Sequence, residues 1–145
     1  MNDRGTSLLE LLVVLALLGL SVTAISFNLA PLETPLQSGS VLLEGYLRQV
    51  RRQAMATTSA YRAVPIGPDR LIAQRGPSCL GTTWTDDPRV QVELPDDVEM
   101  TDSTWRVCFS SRGISASNVI VTLTHAEFGQ KQVEVMIGGT TRILQ

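Results

Sequence analysis

Three regimes of apolar spacing divide this chain of 145 residues. From Leu11 to about Ala30 nearly every residue is apolar, and no charge intervenes between Glu10 and Glu33. A helix of ~20 residues rising ~1.5 Å each spans the ~30 Å hydrocarbon core of a bilayer, so this block predicts one membrane-crossing helix. Pro31 and Pro35 then interrupt the run, since each removes an amide donor and restricts its predecessor. Beyond them, Leu43, Leu47, Val50 and Ala54, with Leu42 and Tyr46, recur at three- and four-residue spacing. That spacing predicts an amphipathic helix over 38–58, with Ser38 or Ser40 as its cap and Glu44 near its positive end.

After Ala60 the spacing changes to short alternating runs broken by Gly and Pro. Strands are predicted at 61–66, 70–74, 90–94, 105–110, 119–124, 131–137 and 141–144, with Gly76 to Pro88 as a surface loop and Gly138-Gly139 as a hairpin turn. The connections are too short for parallel crossovers, so the strands should be antiparallel with one face on the helix. The expected class is α+β: a long N-terminal helix, half anchor and half amphipathic, packed on an antiparallel sheet domain. About 110 residues remain outside the anchor, enough for one core.

The order of signals at the amino terminus is the reverse of an ordinary secretory leader, which places its cleavage site after the apolar region. Here Gly5-Thr6 precedes the apolar block, and Glu10 stands at the head of it. A carboxylate there costs up to ~2.5–3.5 kcal/mol if drawn toward the bilayer centre, so it requires a partner or a route to the headgroups. The stretch Gly5-Thr6-Ser7-Leu8-Leu9-Glu10-Leu11 resembles the processing site of type IV pilins and type II secretion pseudopilins. The resemblance implies a leader at 1–5, cleavage after Gly5 by a prepilin peptidase, N-methylation of Thr6 and an assembly helix over 6–30. It also implies that Glu10 pairs with the amino group of Thr6 on a neighbouring subunit. Thr6 stands where the family usually has phenylalanine. The globular domain, 31–145, would lie in the periplasm, tethered to the inner membrane by a single span, and on a cell-surface filament once assembled.

Later motifs narrow the resemblance. Leu47-Arg-Gln-Val-Arg-Arg-Gln-Ala54, Val107-Cys-Phe-Ser-Ser-Arg-Gly113 and Gly138-Gly-Thr-Thr-Arg142 are similar to the GspH/FimT group of minor pilins and pseudopilins. This implies a low-abundance subunit at a filament tip or initiation complex, whose partners are other pilins. In some FimT-like members two arginines after a glycine help to bind incoming DNA. Gly139-Thr-Thr-Arg142 retains one of them, which leaves Arg142 as the candidate DNA contact.

Placement outside the cytoplasm makes Cys79 and Cys108 a candidate disulfide, with unbridged thiols as the alternative. Two thiols and the lone His125 are too few for a tetrahedral metal site, and no cofactor is expected. A formal net charge of −2 does not suggest a dedicated nucleic-acid binder, so Arg48, Arg51 and Arg52 read as a solvated helix face. His125 reads as a surface strand residue. With no nucleophile, paired carboxylates or phosphate loop to identify a reaction, the chain is not read as an enzyme.

Overall fold

The computed structural model describes residues 11–17 and 34–144. The chain divides into two compact units, Met1–Leu32 and Glu33–Gln145. In the first, residues 11–17 form a helix, α1, whose leucine and valine side chains are exposed. Among the described residues no helix is long and apolar enough to cross a membrane. Gly5, Thr6 and Glu10 lie outside the described residues, as does most of the expected span.

The second unit opens with α2 (Pro35–Ala56). Its start corrects the expected cap: Thr34 is the N-cap, its Oγ1 accepting from the Gln37 amide at 3.2 Å, and Pro35 occupies the first turn. Proline breaks a helix from within but fits its first position, where the fixed φ is already helical and the missing N–H is not needed. Ser38 and Ser40 sit inside the helix and donate to the carbonyls of Pro35 and Gln37. Glu44 is therefore beyond the first turn and pairs with Arg48 at 2.7 Å instead of the helix dipole. The helix ends before Thr58, whose φ of 48° is left-handed.

Leu36, Leu43, Tyr46, Leu47, Val50 and Ala54 form the buried stripe. Leu42 does not belong to it and is 40% exposed. At ~100° per residue, Leu42 falls just outside the arc running from Tyr46 to Leu47.

The stripe packs against two four-stranded antiparallel sheets. The first runs in the order β3 (Thr85–Glu93), β2 (Arg70–Gly76), β1 (Ala60–Pro65), β5 (Val107–Phe109). The second runs β4 (Glu99–Met100), β6 (Val119–His125), β7 (Gly129–Val135), β8 (Thr141–Leu144). Tyr61, Leu71, Val107 and Phe109 from the first and Val121, Leu123, Val133 and Val135 from the second close one core over α2. β6 shows the two-residue period most clearly, burying Val121, Leu123 and His125.

β5 is shorter than expected, at 107–109, and β7 runs over 129–135 where 131–137 was expected, but the larger departures are β3 and β4, the latter with no strand expected. β3 begins at Thr85, so part of the expected loop is strand, and Pro88 lies within it. β3 is an edge strand, where a proline costs no ladder bond, and its register with β2 shifts between Ile72 and Ala73. β4 has only two residues, too few to carry an alternation.

Candidate assembly surfaces

The disulfide lies at the edge of the first sheet. Cys79, in the loop after β2, is joined to Cys108 on β5, with the Cα atoms 5.8 Å apart. The same loop is held three more times. Gly81 N–H donates to the Ser78 carbonyl at 3.1 Å, Trp84 Nε1 donates to the Gly81 carbonyl at 2.9 Å, and the Trp84 ring lies 4.2 Å beneath the Arg62 guanidinium. Gly76 lets Trp84 approach, since a Cβ there would meet the indole at 2.9 Å. Leu80 at the tip is 97% exposed.

Arg48, Arg51 and Arg52 are not a uniformly solvated face. With Gly45, Met55, Thr140 and Thr141 they line a groove of about 580 Å³ between α2 and the start of β8. Arg48 Nε donates to Thr141 Oγ1 at 3.1 Å and Arg51 Nε to the Gly113 carbonyl at 2.9 Å. Arg52 is exposed, and among the described residues it has no ion-pair partner. The β7–β8 turn reaches α2 because Gly139, at φ 88°, lies so near Gly113 that a Cβ would come within 2.2 Å of its carbonyl oxygen.

Arg142 lies on β8 and its Nε donates to Glu134 on β7, the residue opposite it. Glu134 is only 7% exposed and also accepts from the Asn118 amide at 2.9 Å. The Asn118 hydrogen bond, then Arg142, hold the Glu134 carboxyl below its ordinary value. Arg142 thus has an ion-pair partner, as Arg48 has in Glu44, whereas Arg51 and Arg52 have none among the described residues.

His125 corrects the surface reading. It ends β6 as a buried residue, its Nδ1 accepting from the Glu127 amide at 3.1 Å and its ring in tilted contact with Phe128, centroids 4.8 Å apart. This shapes the β6–β7 tip, Ala126 to Phe128, which is exposed and borders a second groove with Pro35, Asp97 and Glu99. No short-range signal marks that site, because Asp97 and Glu99 come from one segment and Glu127 from another.

A further cluster sits by β3. The buried Tyr61 hydroxyl donates to Asp87 at 3.1 Å, and Arg89 pairs with the same carboxylate at 3.0 Å. The Arg89 hydrogen bond is the main reason the Asp87 carboxyl titrates below its usual range. Among the described residues no group of three His, Cys, Asp or Glu side chains could hold a metal ion.

No family model and no curated protein matches the chain. Among solved structures, it is similar to the minor pseudopilin EpsH of the Vibrio cholerae type 2 secretion system, at 13% identity and a TM-score of 0.57, covering 77% of this chain and 97% of that one. It is also similar to the Pseudomonas aeruginosa type IV minor pilin FimU, at 12% identity and a TM-score of 0.60, covering 76% and 88%. At such identities the likeness is one of fold: this is the α+β fold of minor pilins and pseudopilins.

Proposed function

We propose that the protein is a minor pilin-like structural subunit, inserted in the inner membrane by its apolar segment and assembled through that segment into a pilus or pseudopilus. One conjunction carries the reading: a domain with this fold follows a chain start of the form Gly5-Thr6-Ser-Leu-Leu-Glu10 and an uncharged run. Neither half would suffice. A prepilin-like start could head any anchored domain, and a fold by itself does not assign a role.

In this reading a prepilin peptidase cuts after Gly5, and the new amino group of Thr6, methylated or not, neutralises Glu10 of a neighbour. A buried carboxylate in lipid is tolerable when so paired. The test is to express the full chain with and without a prepilin peptidase and sequence the amino terminus. A chain beginning at Thr6 only when the peptidase is present supports the reading, and one beginning at Met1 in both cases contradicts it.

Capture of DNA through Arg142 is the lesser reading. The ion pair with Glu134 neutralises the one arginine that the motif retains, and phosphate binding would have to compete with it.

A further inference from the structure

Two features of α2 weaken it as a helix, and both face the groove beside β8. The first is the spacing of Arg48, Arg51 and Arg52, since like charges three and four residues apart repel on a helix surface. Glu44 offsets only Arg48, and none of the three lies in the last turn, where the helix dipole would favour a cation. The second is Gly45. A glycine inside a helix costs stability, and close packing is the usual reason for one. Here an added Cβ would meet no atom within 4 Å. Gly45 instead leaves one wall of the groove bare.

The donors around that space are positioned in advance. Arg48 is tied to Thr141 and Arg51 to the Gly113 carbonyl, each through Nε, which leaves the Nη groups of Arg51 free to donate. Arg52 adds a whole guanidinium fork with no partner among the described residues. Three guanidiniums against the one carboxylate of Glu44 leave a formal charge of +2. That charge selects the ligand. A carboxylate or a phosphodiester brings one negative charge, whereas a phosphomonoester brings close to two, with three acceptor oxygens that suit guanidinium forks. About 580 Å³ holds such a group and a small substituent against the half-exposed Met55.

We propose that this groove is a binding site for phosphomonoester dianions, with Arg52 and the Nη groups of Arg51 on the phosphate and Gly45 leaving the room to admit it. Soluble esters and lipid headgroups both carry that group. The site lies wholly within the unit Glu33–Gln145 and goes beyond the subunit reading, on which it does not depend.

The test is equilibrium dialysis of phenyl phosphate against the full chain in a neutral detergent at constant ionic strength. Saturable binding is expected, with benzoate and dimethyl phosphate, each a monoanion, weaker by about tenfold. Arg52→Gln should weaken phenyl phosphate by about tenfold, whereas Arg70→Gln, which removes the same charge from β2, should change it by less than about twofold. Gly45→Leu should also weaken binding while raising the melting temperature, a pairing that a glycine needed only for packing would not give. Circular dichroism confirms that each variant is folded. No saturable binding, equal binding of dimethyl phosphate, or equal losses in Arg52→Gln and Arg70→Gln would each overturn the site. With the chain reconstituted in phosphatidylcholine vesicles, added phosphatidic acid blocks phenyl phosphate if a lipid headgroup is the source and leaves it unchanged if a solute is. Equal blocking by phosphatidylglycerol, a diester, would contradict the preference for a monoester. Amino-terminal processing is read separately, so the site can fail while the subunit reading stands.

Discussion

Gly138 and Gly139 stand side by side in the β7–β8 turn, yet alanine should affect them unequally. Both have left-handed φ, 95° and 88°, so either substitution carries a strain of ~1–3 kcal/mol. At Gly138 the space is open, whereas at Gly139 the new Cβ would strike the Gly113 backbone. Gly139→Ala should therefore cost more than Gly138→Ala in chemical denaturation, and equal costs would contradict the close approach. Tyr46 carries the opposite expectation. Its hydroxyl is buried with no hydrogen-bond partner among the described residues, and burial pushes the phenol above its ordinary value. Tyr46→Phe removes a desolvated polar group and should leave stability unchanged or raise it by up to ~1 kcal/mol, read from the same denaturation curves. Glu134 brings a pH dependence. Its folded pKa is depressed, so its contribution is present above the unfolded value of ~4.3 and lost as pH falls through the lower folded value. Arg142→Ala should lower the melting temperature at neutral pH and matter less as the pH drops below ~4. A shift that stays constant across that range would exclude the ion pair as its cause.

At the scale of the element, the disulfide closes a loop spanning 29 residues, from the end of β2 past β3 and β4 to β5. On the chain-entropy model its removal destabilises by ~3–4 kcal/mol, a large fraction of what a domain of this size has. The double substitution Cys79→Ser with Cys108→Ser should lower the melting temperature markedly while the circular dichroism of the folded state persists, since the core over α2 has no cysteine in it. Loss of the folded spectrum at low temperature would show that the bridge is required for the fold. The helix boundaries carry a related lesson. A proline can end one helix or begin another, and the Thr34 cap shows that Pro35 begins α2.

For the whole molecule, Glu10 is expected to matter for assembly and not for folding. Glu10→Ala lies outside the unit that holds the core, Glu33–Gln145, and removes a cost from the anchor. Membrane insertion and the folded domain should be retained, and recovery of the chain in sheared filaments should fall. Full recovery in cells without the wild-type chain would sink the pairing with Thr6. The domain itself should give little retardation of double-stranded DNA at moderate salt. A salt-dependent shift lost in Arg142→Ala would instead raise DNA capture above the structural reading.

The sequence by itself determined the division into an uncharged apolar block, an amphipathic helix and alternating strands, because each is a local period that side chains impose on the backbone. It also placed the hairpin of β7 with β8, where neighbouring runs pair across the Gly138-Gly139 turn. Pairings between distant segments were decided by the tertiary structure: β1 with β5, the two-residue β4 against β6, and the Tyr61 hydroxyl on Asp87. The same holds for the surfaces. Arg51 reaches Gly113 across 62 positions and Arg48 reaches Thr141 across 93, so a row of arginines on one helix became one wall of a groove. His125 went from surface to interior for a like reason, since a strand's alternation says which residues share a face but not what covers it.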